Sequence, residues 1–151
     1  MDAIKFLKEE HGKAKAAFAQ IVRASGYHRG SLWNDLKPEL EVHERIEEAC
    51  LYGPLSHDAR HRDAALAQCN ARHAEDVKHV EAVLKEIDAL DAQDSRWLTK
   101  VREVQERLEA HVREEESDIF PRIALVWNRN RLEQAGTELE RMKAKKSRLA
   151  A

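Results

Sequence analysis

Eight histidines occur in this chain of 151 residues, and four of them sit at helical spacing on apolar stripes. His11 follows Ile4 and Leu7 and precedes Ala14, Phe18 and Ile21. His43 follows Leu32, Leu36 and Leu40. His73 lies within Leu66, Cys69, Val77, Val80, Leu84 and Ile87, and His111 follows Leu98, Val101, Gln105 and Leu108. Steps of three and four put each imidazole on the buried side of an amphipathic helix. On two of these stripes a glutamate stands one turn later, Glu47 and Glu115. A buried glutamate is costly unless it is paired or binds a cation. Six such groups over four helices are hard to explain without a shared partner. Imidazole with carboxylate suits iron, manganese or zinc better than copper(I) or calcium.

The two His/Glu pairs belong to an internal repeat. His43-Glu44-Arg45-Ile46-Glu47-Glu48 is followed by Leu51-Tyr52, and His111-Val112-Arg113-Glu114-Glu115-Glu116 by Ile119-Phe120, at an offset of 68 residues. Pro54 and Pro121 follow, one residue out of step. Spacing of i, i+4 puts histidine and glutamate on one helix face, so one cation can take both, or the carboxylate can reach a second. Ferritin-like sites instead use Glu-x-x-His. The nearest spacings here are Asp58 to His61 and Asp76 to His79.

Four long helices must position these groups. The first is expected from about Asp2 to Ala24, ended by Ser25-Gly26. The second is expected from about Leu32 to Tyr52, capped by Ser31 and ended by Gly53-Pro54, with Pro38 kinking it or delaying its start. The third spans about Ala59 to Leu90, capped by Ser56 or Asp58. The fourth starts near Arg96, and Pro121 kinks or ends it. A short terminal helix, about Arg131 to Leu149, is polar on most faces and is expected to pack outside. The fold class is therefore all-α, an antiparallel up-down-up-down four-helix bundle with a short extra C-terminal helix. One domain is expected over 1–151, with the bundle over about 2–130. Antiparallel register brings the site groups level. If the first connection centres near Tyr27 or His28, His43 lies beside His11. If the third centres near Gln93, His73 lies between His111 and Glu115.

Composition agrees with this class. Charged residues are 36% and aromatics 5%, with five Gly and three Pro, which favours helix over strand. A net charge of −2 gives no reason to expect nucleic acid or a membrane surface. Lys143 to Arg148 reads as a solvated helix tail. Met1 to Glu10 is charged and has no apolar run, so neither a signal peptide nor a membrane span is expected there. Cys50 and Cys69 are too few for a disulfide framework and are expected to stay reduced in the core of a cytoplasmic protein.

These residues carry a resemblance to the hemerythrin HHE cation-binding domain. Its segments here are Phe6 to His11, His43 to Leu55 and His111 to Pro121, with Val83 to Leu90 similar to the family's third helix. It covers about residues 1–145. The resemblance implies an oxo- or hydroxo-bridged pair of irons, with manganese or zinc as substitutes. His11 and His43 would bind one iron, His73 and His111 the other, and Glu47 and Glu115 would bridge them. Family members carry or sense oxygen, handle nitric oxide or peroxide, or store, supply or sense iron. Oxygen carriers in the family have a second third-helix histidine one turn after the first. Val77 stands at that position here, so the fifth ligand is absent or replaced by Asp76, Glu44 or water.

Plainer readings stand beside these. Any of the four histidines can be a hydrogen-bonded core residue, and either glutamate a solvated flank. His79 competes with His73, because the repeat offset matches it to His11, although it lies off the stripe. His57 and His61 read as surface residues, and His28 as a loop residue. Glu48 and Glu116 face water or accept hydrogen bonds from ligand histidines. Trp33, Trp97 and Trp127 read as packing near helix ends. Four functions remain open: a protein that binds or senses oxygen, nitric oxide or peroxide; an enzyme turning over peroxide or oxygen; iron storage or supply; and a bundle without metal.

Overall fold

The computed structural model describes residues 1–150. Helix α1 spans Ala3–Arg23, capped by Asp2, whose carboxylate accepts from the Lys5 amide at 2.9 Å. Helix α2 spans Gly26–Glu47 and runs on through a π-helical turn, Glu48–Tyr52, into α3, Gly53–Asp58. A four-residue α4, Ala64–Ala67, precedes α5, Cys69–Asp88. Helix α6, Ser95–Glu114, continues through a second π-helical turn, Glu115–Ile119, into α7, Phe120–Val126. Helix α8 spans Arg129–Ala150. Among the described residues there is no strand. The bundle is made by α1, α2 with α3, α5, and α6 with α7, and α8 packs on α1 and α2.

Several helix limits differ from expectation. Helix α2 starts at Gly26, with Ser25 rather than Ser31 at its N-cap position and no side-chain capping hydrogen bond, and passes through Pro38 without ending. Burial of Trp33, Leu36 and Leu40 on either side of the proline holds it together. Neither Gly53-Pro54 nor Pro121 stops its helix, because each proline opens a new helical segment, where its missing N–H costs nothing. The third helix is broken before Cys69. Asp63, not Ser56 or Asp58, caps the piece ahead of it, accepting from the Leu66 amide and pairing with Arg122 at 2.8 Å. Asp58 instead accepts from the Trp127 indole at 2.8 Å.

The terminal helix is present as expected, but one of its faces is more apolar and more closely packed than its composition suggests. It is 22 residues long, and its face carrying Ala135, Gly136 and Leu139 is buried. Ala135 and Leu139 join the apolar cluster of Phe6, Leu7, Ile46 and Leu51. A Cβ at Gly136 would lie 2.8 Å from the Asp2 carbonyl carbon and 2.9 Å from the Ala3 nitrogen. Glycine lets the start of α1 cross α8 backbone to backbone. Gly136→Val is therefore expected to destabilise the fold by about 1–3 kcal/mol through overpacking. Thermal unfolding of the variant checks this.

A second apolar cluster holds Phe18, Trp33, Leu36, Val83, Val101 and Val104. Trp33 and Trp97 meet edge to face, with ring centroids 6.3 Å apart. Between the two clusters lies one polar layer.

Candidate metal centre

That layer contains all six expected side chains. His11 comes from α1, His43 and Glu47 from α2, His73 from α5, and His111 with Glu115 from α6 and its π-helical continuation. Glu47 and Glu115 are fully buried, and His11 and His73 nearly so, at 7% and 2% exposure. The donor atoms of His11, His43 and Glu47 lie within 4.8 Å of one another, and so do those of Glu47, His73 and His111. Each carboxylate touches both groups. Glu47 Oε2 is 2.8 Å from His43 Nε2, while its Oε1 is 3.2 Å from His73 Nε2 and 3.3 Å from His111 Nε2. Glu115 Oε1 is 2.9 Å from His111 Nε2 and 3.5 Å from His11 Nε2.

Both glutamates stand at a π-helical turn. Such turns widen a helix locally and occur mostly at functional sites. After Glu47 the widened turn buries three successive residues, Cys50, Leu51 and Tyr52. Gly53 is required there, because a Cβ would approach the Glu48 carbonyl oxygen to 2.8 Å.

Around this ring stand residues that hold it. Glu116 lies 3.0 Å from His11 Nδ1, accepting its N–H and leaving Nε2 directed inward. Tyr52 donates its hydroxyl to Glu115 Oε2 at 2.9 Å and stacks on His73, with centroids 4.6 Å apart. Its repeat counterpart Phe120 stacks on His11 at 6.0 Å. Glu44 Oε2 is 2.9 Å from His73 Nε2, beside the place where Val77 offers no ligand. Tyr52 went unread as a site residue. Its signal was its aromatic match to Phe120 in the repeat, which says nothing of its hydroxyl. His79, His57, His61 and His28 are exposed and take no part.

Charge is balanced within the layer. Burial disfavours the charged form of each histidine, but the carboxylates outweigh it. Glu47 lifts His43 to about 9, Glu44 with Glu47 lifts His73 to about 10, and Glu115 with Glu47 lifts His111 to about 12. Burial pushes the Glu47 carboxyl up, yet His43, His111 and His73 hold it well below the usual range. Burial, then Glu47 and Glu115, drive the Tyr52 phenol far above its ordinary value, so it keeps its proton.

Internal pairing does not satisfy the donors. His11 Nε2, both ring nitrogens of His73, Glu47 Oε2 and Glu115 Oε1 are buried and make no hydrogen bond of acceptable geometry, close as their neighbours are. Buried polar atoms are nearly always satisfied. Among them, donors of His11, His73 and Glu47 belong to the two three-residue sets whose atoms lie within 4.8 Å of one another, a spacing that bonds of about 2.0–2.2 Å from a central cation can span. The residues fit a metal.

A helical bundle that turns an imidazole from each of four helices and two carboxylates into one layer has the build of a metal-binding bundle. The chain belongs to the hemerythrin HHE cation-binding domain family, whose model matches residues 2–123. It is also similar to the crystal structure of a hemerythrin HHE cation-binding domain-containing protein from Mycobacterium kansasii. The TM-score is 0.76 at 26% sequence identity, over 97% of this chain and 88% of that one. No curated protein matches it significantly in sequence. Among the described residues no helix is long and apolar enough to cross a membrane.

Proposed function

We propose that this chain, read as one domain, binds two iron ions in the polar layer and presents them to dioxygen, nitric oxide or peroxide. His11 and His43 would hold one ion, His73 and His111 the other, and Glu47 and Glu115 both. The observation that carries this is the position of the two carboxylates, each in contact with a histidine of either group. Glu44 supplies a further oxygen on the His73 side. Iron rather than manganese or zinc follows the family, since the donors suit all three. Bound iron would supply an open coordination position for the small ligand. A reducing, cytoplasmic setting fits two buried, unpaired thiols, Cys50 and Cys69.

Metal analysis of freshly purified protein tests the reading, with two irons per chain expected. Protein that holds no metal and loses no stability on chelation would overturn it. His73→Ala should lower the metal content to about half or less, and His79→Ala should leave it unchanged, because His79 is exposed.

One observation favours turnover over reversible binding. Tyr52 holds a proton at Oη against Glu115, inside the layer. In an enzyme that hydrogen bond orients the carboxylate beside the metal, and Tyr52→Phe should slow peroxide decay by about tenfold or more at unchanged metal content. An unaltered decay rate would leave Tyr52 a packing and hydrogen-bonding residue only.

A further inference from the structure

A cavity of about 470 Å³ opens between α1, α2 and α6 and ends on His11, His43 and His111. That is within the range of roughly 300–1,000 Å³ typical of sites for organic ligands, and far more than a diatomic gas needs. Its walls are carbon: Ala14, Ala17, Leu32, Leu36, Leu40 and Leu108. The small side chains of Ala14 and Ala17 leave the space open on the α1 side. Its lining runs from Glu10 to Gln20 on α1, so it extends about 15 Å along the bundle.

The charges at its rim are engaged with one another. Lys143 of α8 pairs with Glu10 and lies 3.8 Å from Glu39, and Lys13 lies 3.5 Å from Glu10. Neither rim lysine is left over for an anionic headgroup at the mouth, and Asp35 on the same rim would repel one. Small polar molecules have another approach. A separate opening of about 240 Å³ reaches His73 and His111 past Asp76, Arg107 and Glu114. The long apolar shaft is unnecessary for water or peroxide.

We propose that this shaft binds an uncharged, chain-like apolar molecule, with its inner end against the histidine layer. The site's organic ligand or substrate is thus an extended hydrocarbon chain with a neutral head. Only what the inner end meets rests on the metal reading, because the walls exist without it.

Calorimetric titration of the iron-loaded full chain with n-decanol tests this. Saturable binding at one site per chain is expected, with decanoate about tenfold weaker or more. Ala17→Phe should weaken decanol about tenfold or more. Ala16→Phe, on the exposed face of the same helix, should not. Ala14→Phe narrows the same wall and should repeat the loss if Ala17→Phe unfolds. The absence of saturable binding, tighter binding of decanoate, or binding indifferent to both wall variants would overturn the proposal. Iron content is measured on the same samples. Full iron without decanol binding sinks the shaft alone, whereas decanol binding to a chain that takes no iron sinks the metal reading and leaves the shaft standing.

Discussion

Glu47→Ala is expected to empty both metal positions together. Its Oε2 faces His43 at 2.8 Å, and its Oε1 faces His73 and His111 at 3.2 and 3.3 Å. Among the described residues no other touches three of the four histidines so closely. Removing even an outer partner of a ligand histidine costs about 10–100-fold in metal affinity. On the two-ion reading proposed above, removing a shared carboxylate should exceed that and leave purified protein with little metal. Glu47→Gln keeps the volume and loses the charge, so an equal loss there excludes a cavity effect. His43→Ala should instead empty mainly the position it shares with His11. Metal content per chain, with circular dichroism as a fold control, reads these outcomes. Full occupancy of either position in Glu47→Ala would show that Glu47 is not shared.

Removing the metal is expected to lower the thermal midpoint by roughly 10–30 °C. A ligand that binds only the native state at about 100 to 1,000 times its Kd stabilises by about 3–4 kcal/mol per site. In a chain of this size each kcal/mol moves the midpoint by about 2–4 °C. The metal-free chain should still fold at neutral pH, because carboxylate and imidazolium balance within the layer. The pH dependence has a definite sign. His43, His73 and His111 hold protons more tightly folded than unfolded. The stability they contribute is complete below their ordinary value of 6.5 and is lost as pH rises through about 9 to 12. Metal must displace those protons, so its affinity rises with pH over the same region. Loaded and metal-free midpoints should therefore draw apart from pH 6 to pH 9. Scanning calorimetry on both forms measures this. A gap that narrows with rising pH would mean that the metal does not compete for these imidazoles.

Most of the site was legible because helical periodicity maps sequence directly onto a face. Histidines in step with leucines had to point inward, and the repeat of His43 and Glu47 at His111 and Glu115 marked two such faces. Helix junctions were less legible. Pro38, Pro54 and Pro121 read as breaks, yet flanking burial and first-turn placement carry the chain through them. Helix α8 read as an outer helix because its composition is polar, although Ala135, Gly136 and Leu139 suffice to seal it to α1.

The sequence by itself determined that four helices would each turn a histidine into the core, two of them with a glutamate, and which family these residues resemble. Spacing along one helix is local, so it survives without a fold. The tertiary structure decided what lies between helices: that each carboxylate spans both histidine groups, that Glu44 stands where Val77 has no ligand, and that Tyr52 donates a hydrogen bond to Glu115. It also opened an apolar shaft onto the same layer. Those relations depend on helix rotation and on two π-helical turns, each shifting side chains by a fraction of a turn. No periodic pattern in the sequence records a shift that small.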